Sequence, residues 1–102
     1  MKSEDLIQQE IVMWVRNVHR KGIIAHIPNQ NQQHLVKIGV LPGFPDLIYL
    51  IEGGITILFE VKRPGETLSP KQKALHPRIT ALGHLVFTVY SLEDAQQILN
   101  QF

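Results

Sequence analysis

The run "LFEVK" (Leu58 to Lys62) closes an apolar stretch with a carboxylate, Glu60, and an amine, Lys62, two residues apart. Alternate side chains of a strand share a face, so Glu60 and Lys62 point one way and Val61 the other. Upstream, Asp46 follows Pro45 at the head of "DLIYLI", and "EGG" separates that run from "ITILFEVK". Two such runs around a glycine-bearing loop read as a β-hairpin. A three-residue loop of Glu52, Gly53 and Gly54, its last glycine left-handed, sets Ile51 against Ile55 and therefore Asp46 against Glu60. A two-residue Gly53-Gly54 turn would instead set Asp46 against Val61 and send the two acids to opposite faces. The three-residue loop is the expectation.

Asp46, Glu60 and Lys62 then share one end of the hairpin. Carboxylates that converge without compensating arginines repel one another unless a cation lies between them. Oxygen ligands, with no cysteine and no histidines at zinc-like spacing, favour Mg²⁺ or Mn²⁺. Such an ion acidifies a bound water and neutralises charge on a phosphoryl oxygen, and an amine beside it orients or deprotonates that water or offsets the developing charge. These are the parts that phosphodiester hydrolysis needs. Taken alone, Glu60 and Lys62 could equally be a solvated same-face pair contributing under ~1 kcal/mol.

The elements that must position these groups follow from periodicity. From Ser3 to about His19, the residues Ile7, Ile11, Trp14, Val15 and Val18 recur at helical spacing, with Ser3 as N-cap and acids in the first turn. Extending the stripe back one turn reaches Glu4, which makes Glu4 the candidate third acid, with Glu10 in reserve. Gly22 should end this helix, and Ile23 to Ile27 reads as a strand. The segment from Pro28 to Pro45 is a long polar loop in which "HLVKIGV" could be extended. Ser69, Pro70 and Gln72 mark a helix start with a capping box. Leu75, Ile79 and Leu82 form its expected buried stripe, and Pro77 predicts a kink or restart near His76. His84 to Tyr90 reads as a central strand parallel to the one bearing Glu60. Ser91 caps a last helix ending near Gln101.

At 102 residues, 44% hydrophobic and 19% charged, the chain reads as a single globular domain, residues 1–102. Its formal charge of +1 requires any nucleic-acid surface to be local. With no cysteine, disulfides, thiolate catalysis and cysteine-ligated zinc are excluded. No run approaches the ~20 apolar residues of a membrane span and no leader pattern opens the chain, so no membrane partner and a cytoplasmic location are expected.

"FPDLIYLI…LFEVK" resembles the PD-(D/E)XK nuclease signature. "SEDLIQQEIVMWV", "GVLPGFPDL", "FEVKRPGETLSPKQ" and "LGHLVFTVYS" together are similar to the virus-type replication-repair nuclease domain, VRR-NUC, of the stand-alone phage type. That resemblance implies an α/β fold with a restriction-endonuclease-like αβββαβ core, a mixed sheet flanked by helices, and here an added C-terminal helix. It also implies Mg²⁺- or Mn²⁺-dependent cleavage of DNA, often branched, flapped or four-way, by a homodimer. Carried onto this chain, the catalytic set is Asp46, Glu60, Lys62 and Gln72, and the metal ligands are Glu4, Asp46, Glu60 and the Val61 carbonyl. Glu4 precedes Gln8 by four residues, as the family's first-helix acid precedes its Gln. Lys37, Arg63, Lys71 and Lys73 adjoin the proposed site and are candidates for phosphate contacts, against the plainer reading of solvated charges. The five histidines are expected at surface or boundary positions, with His26 and His34 able to touch phosphate. A non-cleaving nucleic-acid-binding module and an RNA-directed nuclease are the competing readings.

Overall fold

A computed structural model describes residues 1–28 and 36–102. The expected position of His34 lies outside the described residues. Ser3 caps helix α1 (Glu4–Trp14), its hydroxyl accepting from the Leu6 N–H at 3.1 Å. Ile7, Ile11 and Val15 are buried as the stripe requires, but Val18 is 63% exposed. The helix widens into a π segment, Val15–His19, whose closing bond runs from the Arg20 N–H to the Val15 carbonyl at 2.9 Å. The wider turn rotates Val18 out of the stripe. Arg20 (φ 40, ψ 36), rather than Gly22, takes the left-handed position that ends it.

Gly22 instead opens strand β1 (Gly22–His26), where a Cβ would lie 1.8 Å from the Leu50 carbonyl oxygen. Its glycine is needed for close backbone approach. Within the long loop, residues 36–37 are helical and 38–39 form a turn, so this part of "HLVKIGV" is not extended. Strands β2 (Leu47–Ile51) and β3 (Ile55–Val61) pair antiparallel with Ile51 opposite Ile55. The loop is thus Glu52-Gly53-Gly54, and both glycines are left-handed.

Helix α2 (Pro70–Ala81) begins in a complete Ser69–Gln72 capping box. It runs through Pro77 without a restart. His76 and Ile79 are its buried residues and Leu82 is 78% exposed, so the buried face is turned from the expected stripe. Strand β4 (Leu85–Val89) pairs parallel with β3, and α3 (Leu92–Leu99), capped by Ser91, ends slightly short of expectation.

The sheet order is β1-β2-β3-β4, so β3 is internal while β4 lies at an edge, not centrally. An apolar β-branched run signals burial on two faces, which helices can supply at an edge as well. Leu47, Tyr49, Ile51, Ile57, Phe59 and Val61 share one sheet face and pack with Ile7, Ile11 and Val15 of α1 and with Ala95 and Leu99 of α3. Helix α2 covers the opposite face beside Glu60. The result is a mixed sheet flanked by helices.

Candidate active site

Asp46 stands immediately before β2, fixed at both backbone and side chain. Its carbonyl accepts from the Ile27 N–H at 2.7 Å, and its Oδ2 accepts from the Val61 N–H at 2.7 Å. Extending the β2–β3 register by one residue beyond Leu47–Phe59 puts Asp46 opposite Glu60. The two carboxyl groups are thereby near enough for Asp46 to raise the Glu60 pKa. The Val61 N–H is therefore the group that aims Asp46 at Glu60.

Glu60 is only 2% exposed, and its Oε1 has no hydrogen-bond partner among the described residues. Burial first, then the hydrogen bond and charge of Asp46, push its carboxyl up to about 9, while Lys62 opposes the rise. Lys62 follows the end of β3 and is partly buried, its N–H donating to the Val89 carbonyl at 3.0 Å. Its charge also works against the rise at Glu4.

Glu4 stands close to this pair. Its carboxyl is raised to about 7, chiefly by burial, then by a hydrogen bond to Glu66 and the Glu66 charge. Glu10 turns away to bind Lys2 at 2.9 Å. Glu66 was not anticipated. It is brought in by "RPGE", a turn closed by the Glu66 N–H on the Arg63 carbonyl at 3.0 Å, with Gly65 left-handed. A Pro-Gly pair is a turn signal, and it sets its flanking residues side by side. Glu66 in turn accepts from the Arg63 backbone N–H at 2.5 Å and pairs with its guanidinium at 3.3 Å. These bonds, with that from Glu4, hold the Glu66 carboxyl down to about 2.

His76 is the second group the sequence reading missed. Expected at a surface or boundary position, it is buried, 7% exposed. Its Nε2–H donates to the Gly43 carbonyl at 3.1 Å, and the same nitrogen lies 3.3 Å from Glu60 Oε1. Burial lowers its pKa, so the approach to Glu60 is that of a neutral ring and not an ion pair. The available signal was spacing: Gln72, His76 and Ile79 lie on one helical face.

The remaining candidates are scattered more widely. Gln72 spends its Oε1 on the Ser69 N–H at 2.8 Å. Lys71 and Lys73 are exposed on the first turn of α2, and Lys37 is exposed on the short helical piece of residues 36–37. His26 is exposed at the end of β1.

A divalent ion fits part of this arrangement. A buried acceptor without a donor, beside a second carboxylate, is an environment that a cation stabilises. Among the described residues, no three acidic or histidine side chains form a metal-holding cluster. The fit is to a small hard ion bound through two carboxylates and keeping much of its water, as Mg²⁺ does.

The chain matches the VRR-NUC domain model over residues 2–93. It is 32% identical over 96 residues to "Putative nuclease p44" of Acyrthosiphon pisum secondary endosymbiont phage 1, covering 94% of this chain and 90% of that protein. One solved structure, a VRR_NUC domain, superposes with a TM-score of 0.73 at 20% identity, covering 97% of this chain and 96% of the other. A second, a VRR_NUC domain protein, gives 0.78 at 21%, with coverage of 99% and 88%. The mixed sheet is thus that of these structures, and the match over residues 2–93 takes in the hairpin with its paired acids, Lys62 and the capped helix: the chain belongs to the VRR-NUC domain family, a family of nucleases.

Proposed function

We propose that this chain is a metal-dependent endodeoxyribonuclease acting on branched, flapped or four-way DNA. The observation that carries the reading is the hairpin register that sets Asp46 opposite Glu60, with a buried Glu60 oxygen that lacks a donor among the described residues. Asp46, Glu60 and the Val61 carbonyl would hold Mg²⁺ or Mn²⁺, with Glu4 reaching it through water. When bound, the ion supplies an acidified water and charge neutralisation at the phosphate.

The chain's own groups do the rest. The Val61 N–H keeps Asp46 oriented, and burial keeps Glu60 from being solvated away from it. Lys62, close to both acids, offsets charge on the phosphate or takes the proton of the attacking water. Gln72 keeps its amide N–H₂ available for substrate while its oxygen caps α2. Lys37, Lys71 and Lys73 are exposed and would contact phosphates, which gives shape preference without base reading. Arg63, engaged with Glu66, would have to exchange that partner for a phosphate.

Incubation with flap, nicked, linear and four-way DNA in Mn²⁺ tests the reading. The wild type should cut branched substrates. Lys62→Ala should retain Mn²⁺ binding yet cleave on the order of 100-fold more slowly. Matched RNA substrates should remain intact. Intact DNA throughout would refute the reading.

A further inference from the structure

His76 joins the two halves of the candidate site and has no place in the chemistry above. Asp46 is delivered by the loop that includes Gly43, whereas Glu60 is delivered by β3. Gly43 is left-handed (φ +90), and a Cβ there would lie 2.8 Å from the Lys71 carbonyl carbon and oxygen. The loop thus seats directly on the first turn of α2. One turn further along α2, the His76 Nε2–H holds the Gly43 carbonyl at 3.1 Å, while its nitrogen lies 3.3 Å from Glu60 Oε1. A single buried nitrogen therefore touches the carrier of one acid and the side chain of the other. Because that N–H is directed at Gly43, Glu60 Oε1 stays buried with no donor.

We propose that His76 is a positioning residue: by latching the Gly43 loop to α2 against Glu60, it sets the separation of the Asp46 and Glu60 carboxylates and leaves Glu60 Oε1 for a divalent ion. The inference rests on the proposed metal-dependent reading and adds a residue to it. Partners that orient first ligands typically change metal affinity or activity by ~10–100-fold when removed.

Three variants separate latch from packing. His76→Leu keeps an apolar group in the buried site but removes the donor. His76→Gln restores an N–H near the position of Nε2. Gly43→Ala pushes the loop off α2 without touching an acid or the imidazole. Mn²⁺ affinity is measured calorimetrically on each, alongside the thermal midpoint and the split of kcat and KM on a cleaved DNA. His76→Leu and Gly43→Ala should bind Mn²⁺ ~10-fold or more weakly, with kcat reduced and KM for DNA little changed. His76→Gln should recover most of both. Wild-type affinity and kcat in a folded His76→Leu would overturn the proposal, as would a loss that His76→Gln fails to restore. A wild type that neither binds Mn²⁺ nor cuts DNA would refute the underlying reading instead.

Discussion

Glu60 couples the site to stability. Its folded carboxyl sits at about 9 against an ordinary 4.5, and Glu4 at about 7 against the same reference. A raised acid contributes stability that is complete below its unfolded pKa and is lost as pH climbs through the folded one. Glu66, held at about 2, works the other way: its contribution is present above 4.5 and lost as pH falls toward 2. In EDTA, the urea midpoint should therefore be greatest near about pH 5 and decline toward about pH 9. Mg²⁺ or Mn²⁺ should flatten that decline, because the ion binds the ionised acids. Urea titrations across this range with and without Mg²⁺ check it, and a midpoint in EDTA that climbs from about pH 5 to 9 would contradict it.

The first helix ends under strain that a substitution can release. Arg20 occupies a left-handed conformation, which costs a non-glycine residue roughly 1 kcal/mol. The π turn before it brings His19 to two partners: Nδ1 accepts from the Tyr49 hydroxyl at 2.8 Å, and Nε2 donates to the Leu99 carbonyl at 3.0 Å. The Lys21 N–H donates to the same Tyr49 oxygen at 3.1 Å, which fixes the direction of that chain. These bonds tie the helix end to β2 and to α3. Arg20→Gly should keep the geometry and raise stability by about 0.5–1 kcal/mol, read as a thermal midpoint several degrees higher. In α2, the capping box and the burial of His76 and Ile79 hold one continuous helix through Pro77, where local propensity predicts a break.

Across the whole molecule, the two sheet faces are finished unequally. Helices α1 and α3 cover one face, whereas on the other α2 stands beside Glu60 and the cross-strand partners Ile23 and Leu50 toward the β1 edge are 71% and 48% exposed. We propose that a second copy covers this surface, giving a two-fold homodimer that offers two sites to branched DNA. Light scattering of wild type should give twice the chain mass. Ile23→Asp with Leu50→Asp should give one chain mass with Mn²⁺ affinity retained. A monomeric wild type at micromolar concentration would rule the dimer out. Among the described residues, no helix is long and apolar enough to cross a membrane.

The hairpin, its register and the pairing of Asp46 with Glu60 were readable in the chain, because strand period and loop length are local and jointly permit one register. So were the caps at Ser3, Ser69 and Ser91, where each side chain bonds an amide three residues away. His76 and Glu66 were not readable in that way. Each gains its role from a partner on another element, Gly43 and Glu60 for the histidine and Glu4 for the acid. Gly22 was misread for a related reason: its missing Cβ serves a strand that is distant in sequence. Local chemistry thus specified which acids face one another, while the packing of loop, helix and sheet decided what surrounds them, since burial and contacts between elements have no period along the chain.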